Sequence, residues 1–169
     1  MKTIVSTNGF DIIVDDEDFD SLSAYSWWVN LAKGKPTGCT RSTRVDGKPK
    51  TIHMHRELTN APKGMVVDHI NRNPIDNRKI NLRVVTQSEN QKNRGMDNRV
   101  RAKSSVYKGV SKCPKAKSVR WLSVIVVNRK LNYIGIFKEE VLAAEAYDNA
   151  ADLHFGEYGY RNFPKIKAN

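Results

Sequence analysis

Val66-Val67-Asp68-His69-Ile70-Asn71-Arg72-Asn73-Pro74-Ile75-Asp76-Asn77-Arg78-Lys79-Ile80-Asn81-Leu82-Arg83-Val84-Val85-Thr86-Gln87-Ser88-Glu89-Asn90 is the stretch on which the reading of this chain turns. It opens on a short apolar run that ends in two polar groups, Asp68 and His69. A second apolar run, Leu82 to Val85, closes it. Asn71, Asn73-Pro74 and Asp76-Asn77 between them are turn chemistry, since Asn and Asp bond their own backbone and tolerate left-handed geometry. Thr86-Gln87-Ser88-Glu89 has the form of a helix capping box, with Thr86 as N-cap. The helix is predicted from Gln87, with Asn90 one turn in and Gly95 as a stop. The order is strand, loop, strand, helix.

These residue types suit phosphodiester hydrolysis, which needs a base for water and a cation beside the phosphate. His69 titrates near neutrality. Asp68 and Asn90 offer hard oxygen ligands that favour magnesium or manganese over zinc. Neighbours on a regular strand point to opposite faces. The strand must therefore bend or end at Asp68-His69 if both serve one site.

The runs D-H-I-N, D-N-R-x-x-N-L-R and T-x-x-x-N-x-x-N resemble the HNH nucleases of the His-Me finger group, in the subgroup of phage and intron-encoded homing endonucleases. The resemblance implies a hairpin-plus-helix site with one divalent cation. Position by position, it implies His69 as general base, Asp68 and Asn90 as metal ligands, and Asn81 as the Asn that braces the loop. Met54-His55-Arg56 is similar to a run that these proteins carry upstream. An isolated Asp-His pair is most often a surface hydrogen bond, and an Asn-rich loop is ordinary turn material. The ordered combination is what favours a nuclease. His53 and His55, two residues apart, are expected on one strand face, in phosphate contact or a surface role rather than in catalysis.

A chain of 169 residues holds one ordinary domain or two small ones. No run approaches the ~20 apolar residues of a membrane span. The first residues soon meet the Asp15–Asp18 acidic cluster, so no secretory signal is expected, and a cytoplasmic location is (the host cytoplasm if phage-encoded). Cys39 and Cys113 form no C-x-x-C pair, which argues against structural zinc and for reduced thiols. The net charge of +11 is uneven. Residues 1–50 are neutral, residues 51–98 carry +3 and residues 99–169 carry +8. Between Lys92 and Lys130, twelve basic residues face one acid, Asp97. Beside such a motif this favours a polyanion over a solvated lysine-rich face.

Four segments follow. Residues 1–50 are β-rich, with Ile12-Ile13-Val14 and Trp27-Trp28-Val29 as buried strands, turns at 34–38 and 46–49, and an acidic helix start before Leu22. Residues 51–95 hold the nuclease motif, and 96–105 form a basic linker. In 106–164, strands are expected at 106–110, 119–128 and 131–137, then a helix over 139–155. Its apolar stripe is read as Leu142, Ala146, Ala150 and Leu153, widened by Val141, Ala144, Tyr147 and Ala151. Glu145, Asp148 and Asp152 read as an acidic line that would keep this helix away from DNA.

Tyr107-Lys108-Gly109-Val110, Tyr133-Ile134-Gly135-Ile136-Phe137, the Ala-rich helix around Tyr147-Asp148 and the closing Arg161-Asn162-Phe163-Pro164 are similar to the Apetala-two/ethylene-response-factor DNA-binding domain. That resemblance implies a three-stranded antiparallel sheet packed on one helix, the sheet facing the major groove. Val124 and Val126 stand where the plant domains carry charged base-reading residues, and Tyr133 stands for a Trp. The expected class is thus α+β, a ββα-metal nuclease module followed by that sheet-and-helix unit.

The expected function is that of a homing-type DNA endonuclease using Mg2+, with Mn2+ substituting. Duplex DNA is the expected partner of a monomer with no small-molecule cofactor. The expected DNA contacts are His55, Arg56, Arg78, Arg83, Lys92, Arg94, Arg99, Arg101, Lys103, Lys108, Lys112, Lys115, Lys117, Arg120, Arg129 and Lys130. Two rivals remain: a non-catalytic DNA-binding regulator, and an RNA-binding or RNA-cleaving protein, although no aromatic RNA-binding strand signature is present.

Overall fold

The computed structural model describes residues 1–95, 104–113 and 118–164, and the chain forms two compact units, Met1–Asn90 and Gln91–Asn169. In the first, strands β1 (Lys2–Val5) and β2 (Asp11–Val14) pair antiparallel, and helix α1 (Asp16–Ser23) follows. Strands β3 (Trp28–Ala32), β4 (Lys35–Val45) and β5 (Lys48–His53) form an antiparallel meander with β4 in the middle. Both connections are two-residue hairpins with positive φ at each position, Lys33-Gly34 and Asp46-Gly47. That geometry matches the right-handed twist of the flanking strands, and Gly adopts it without steric cost.

Helix α2 (Met54–Thr59) begins directly after β5. Strands β6 (Val66–His69) and β7 (Leu82–Val85) then make a separate antiparallel pair, followed by helix α3 (Gln87–Lys92). The core of this unit is Ile4, Ile12, Val14, Leu22, Trp27, Val29, Cys39 and Met54. Trp27 is buried just before β3, with its indole N–H on the Leu22 carbonyl at 2.8 Å, whereas Trp28 is 51% exposed. Only the first of the two tryptophans is core, because successive strand residues face opposite ways.

In the second unit, strands β8 (Val110–Lys112), β9 (Trp121–Val127) and β10 (Lys130–Phe137) form an antiparallel sheet in the order β10-β9-β8, against which helix α4 (Glu140–Phe155) packs. The expected strand from Val106 is confined to Val110–Lys112. The backbone before it is satisfied by a side chain instead: Asn162 accepts from Lys108 N at 2.7 Å and donates to Lys108 O at 3.2 Å.

The buried face of α4 is Ala143, Ala144, Tyr147, Asp148 and Ala151, while Leu142 and Leu153 are 44% and 81% exposed. Ala144, Tyr147 and Ala151 of the expected stripe are thus buried, whereas Leu142 and Leu153 are corrected to the exposed side, and small side chains let the helix lie close to the sheet. At Gly109, with φ +78°, an added Cβ would come within 2.1 Å of the Tyr147 ring and 2.5 Å of the Val124 carbonyl. Asp148 also leaves the acidic line. It is buried and accepts from the backbone N–H of Asn162 and Phe163, both at 2.8 Å.

Candidate active site and nucleic-acid interface

β6 ends at Asp68-His69, and the chain leaves the strand there. His69 pairs with Leu82 and Asp68 with Arg83 across the hairpin. Asp68 is 6% exposed, and its Oδ2 accepts from Arg83 Nε at 2.9 Å and Nη2 at 2.6 Å. Two nitrogens of the guanidinium thus converge on one carboxylate oxygen in charge-assisted hydrogen bonds.

The 70–81 loop is braced from within. Asn81 accepts from Asn71 N at 2.9 Å through Oδ1 and donates to the Asp76 carbonyl at 2.7 Å through Nδ2, while its own carbonyl takes Ile70 N. Asp76, almost fully buried, accepts from Arg78 Nε and Nη2 and from Asn71 Nδ2. Those donors, Arg78 first, hold its carboxyl below the usual range.

The N-terminal segment anchors the same loop. Ile13 N donates to the Ile75 carbonyl at 2.9 Å, and Asn77 N donates to the Ile13 carbonyl at 2.8 Å. Lys79 N donates to Asp15 Oδ2, and Lys79 Nζ pairs with Glu17 at 2.6 Å and Asp18 at 3.0 Å. The acidic cluster at the start of α1 is thus a clamp for the loop. Thr86 and Glu89 form the full capping box, with Thr86 N on Glu89 Oε2 at 2.8 Å and Glu89 N on Thr86 Oγ1 at 3.2 Å. Asn90 sits one turn into α3, its N–H on the Thr86 carbonyl.

His53 and His55 do not share a strand face, because β5 ends at His53 and α2 begins at Met54. The turn into the helix nevertheless brings their rings to 5.5 Å, and His55 meets the His69 ring edge-on at 5.5 Å. Burial, with the neighbouring His69, His53 and Arg56 charges, lowers His55 to about 4. Burial also lowers His69, against the Asn77 side chain and the Asp68 and Asp76 carboxylates, which favour its charged form. Asn77, which supplies that contact, is fully buried. Asp76, Asn77 and Arg83 were not expected as parts of the site's frame. The signal for them in the sequence is the D-N-R-x-x-N-L-R run, in which Asp76, Asn77 and Arg83 all stand.

Among the described residues no group of three or more His, Cys, Asp or Glu side chains could hold a metal ion. A caged site of zinc type is therefore absent from them. Magnesium does not need such a cage, because it keeps several waters and uses one or two protein ligands beside substrate phosphate.

Three of the expected DNA contacts have their guanidinium groups committed inside the protein. Arg56 donates to the Met65, Ala61 and Pro62 carbonyls, Arg78 to Asp76 and Arg83 to Asp68. In the second unit Lys92 lies over Phe155, Lys108 over Tyr160 and Lys112 over Trp121, and Lys108 Nζ also donates to the Arg94 carbonyl at 2.6 Å. Arg120 Nε meets Ser118 Oγ at 3.3 Å. Arg129, with φ +65°, and Lys130 are exposed at the β9–β10 turn. Leu122, Val124 and Val126 of β9, opposite Ile136, Tyr133 and Leu131 of β10, make the face turned away from α4 aliphatic and aromatic rather than charged. Arg99, Arg101, Lys103, Lys115 and Lys117 lie outside the described residues.

No helix among the described residues is long and apolar enough to cross a membrane. Comparison with curated proteins and with solved structures gives no significant match. Residues 59–92, from the end of α2 through β6, the braced loop, β7 and α3, match the family model of the HNH endonucleases, and that match supports a nuclease that hydrolyses DNA.

Proposed function

We propose that this chain is an HNH-type DNA endonuclease of the homing kind, with His69 as general base and Asp68 and Asn90 as the ligands of one magnesium ion. What supports the reading most is that the family match spans a loop whose every anchor, Asn81 above all, serves to hold the chain where it leaves β6 at Asp68-His69. His69, kept neutral by burial, accepts a proton from water at the imidazole nitrogen facing the scissile phosphate. Asn81 and the Asp76–Arg78 pair hold the loop that positions that ring. A bound divalent cation supplies stabilisation of charge on the leaving oxygen. In the second unit, Lys112, Arg120, Arg129 and Lys130 contact phosphates, and its uncharged sheet face argues against charged base readout there.

A second reading, a DNA-binding regulator without turnover, is favoured by one observation. The Asp68 carboxylate is already held by Arg83 at 2.6 Å. Incubating the full chain with supercoiled plasmid and source DNA, with magnesium or with chelator, separates the two. Nicking or linearisation that needs the cation, and that Asp68→Ala and Asn90→Ala each remove, is the outcome expected for the nuclease. Binding without any cleavage at millimolar magnesium would establish the regulator.

A further inference from the structure

β4 pairs with β3 up to Thr40 and with β5 from Thr40 on, so that Thr40, opposite Trp28 on one side and His53 on the other, is where it has both partners. Beyond Thr40 its one partner is β5. Residues 42–51 are therefore a free two-stranded ribbon, exposed throughout except at half-buried Thr43. Strand alternation sorts its side chains. Thr43 and Val45 share a face with Lys48 and Lys50, whereas Ser42 and Arg44 share the opposite face with Pro49, Thr51 and His53. The second face runs straight into the site, because the His53 ring touches His55, and His55 touches His69.

The charges on this ribbon differ from their neighbours. Arg41, Arg56, Arg78, Lys79 and Arg83 all have partners within the unit. Arg44, Lys48 and Lys50 make no ion pair among the described residues. Lysines and a proline on an edge strand also discourage edge-to-edge pairing. That accounts for Lys48, Pro49 and Lys50 but not for a hydroxyl-and-guanidinium face continuous with the histidines.

We propose that the β4–β5 ribbon enters the major groove of duplex DNA beside the cleavage site, its Ser42–Arg44–Thr51 face reading base edges and Lys48 and Lys50 contacting phosphates. The major groove admits a two-stranded ribbon, and a guanidinium there recognises guanine by two parallel hydrogen bonds. Arg44 stands opposite Pro49, four residues from His53, or ~13 Å along the strand. That is the length of about four base-pair steps, so Arg44 reads a guanine roughly that far from the cut. This inference rests on the DNA-nuclease reading of the same unit.

The test uses the full chain and the cleavage site mapped with the wild type. Lys48→Ala/Lys50→Ala should flatten the slope of log K against log salt by about 2, since each neutralised phosphate contributes about 0.9. Its base preference should not change. Arg44→Lys keeps the charge but loses the planar fork. It should leave the salt slope alone and weaken the preference for guanine near the cut by roughly tenfold. An unchanged slope in the double variant would overturn the proposal, and if that variant aggregates, an unchanged guanine preference in Arg44→Lys overturns it alone. A reduced slope with unaltered preference in Arg44→Lys would put the ribbon on the backbone outside the groove and overturn it equally. A wild-type chain that neither binds nor cuts DNA would instead remove the nuclease reading itself.

Discussion

Arg83 and Asp68 face each other across the β6–β7 hairpin, and the guanidinium closes on one carboxylate oxygen, Oδ2, from two nitrogens at 2.9 and 2.6 Å. Both side chains are largely buried. Removing one partner of such a pair leaves the other charge unpaired out of water, which costs about 3–5 kcal/mol. Arg83→Ala should therefore lower the melting temperature strongly in chelator. If Asp68 is a metal ligand, millimolar magnesium should raise the melting temperature of Arg83→Ala more than that of the wild type. Equal shifts in the two proteins would argue that Asp68 answers to Arg83 alone.

His69 gives a pH prediction of definite sign. A base must be unprotonated to act, and burial lowers this imidazole from its ordinary value near 6.5. The rate should rise with pH through a midpoint below 6.5 and be level at neutrality. His69→Ala should lower the rate by roughly 100-fold or more with little change in DNA affinity. An acid limb centred above 6.5, or near-normal cleavage by the variant, would move the base elsewhere.

How much of this was legible in the sequence depends on whether the signal was local. The Thr86–Glu89 box and the Asp46-Gly47 turn are decided by their own few residues, and both stand in the structure. On α4, Ala144, Tyr147 and Ala151 are buried as expected, but Leu142 and Leu153 are not, because they satisfy the helical period as well as Ala143 does. What selects among them is packing against the sheet, where the Tyr147 ring lies so close to Gly109 that a Cβ there would meet it. Asp148 reads as a surface acid until its acceptors meet Asn162 and Phe163, more than ten residues on. In the site, His69 and Asp68 could be singled out by type and order. The clamp of Ile13 on Ile75 and Asn77, and the ring contact of His55 with His69, join distant segments. Their spacing carries no trace of either.

Asn81 tests the brace. Its side chain satisfies one backbone N–H and one backbone carbonyl inside the loop. Asn81→Ala leaves the buried Asp76 carbonyl without its donor, at about 1–3 kcal/mol, and strips the N–H of exposed Asn71 of its acceptor. Thermal midpoint and cleavage rate should fall together, and Asn81→Asp, which keeps the Oδ1 acceptor, should recover part of the stability. A variant with normal melting and lost cleavage would assign Asn81 a direct role in the chemistry.

His55 predicts a stability window. Its value is about 4 in the folded chain against 6.5 for the free side chain. The unfolded state thus binds more protons between these limits, so stability rises with pH across that window and is complete above 6.5. The contribution is at most about 3 kcal/mol, less what solvent screening removes. Denaturant unfolding of His55→Gln should show a visibly shallower pH dependence between 4 and 6.5 than the wild type. Identical slopes would mean that His55 titrates normally in the folded protein.

The second unit can be tested without disturbing its core. Arg129 and Lys130 are exposed at the β9–β10 turn, and Lys112 and Arg120 lie at the other end of the sheet, none of them in its buried clusters. Replacing all four by Gln removes four positive charges and keeps the fold, which a matching melting temperature would verify. If these residues hold phosphates, the slope of log K against log salt should flatten by roughly 3 to 4 units, since each contact contributes about 0.9. Cleavage should persist at higher protein concentration, because the loop from Asp68 to Asn81 lies in the first unit and is untouched. Discrimination between sites should change little, since phosphate contacts position a protein without reading sequence. An unchanged salt slope would remove the second unit from the DNA. Its uncharged face of Leu122, Val124, Val126, Leu131, Tyr133 and Ile136 would then be the surface to examine for contacts with protein.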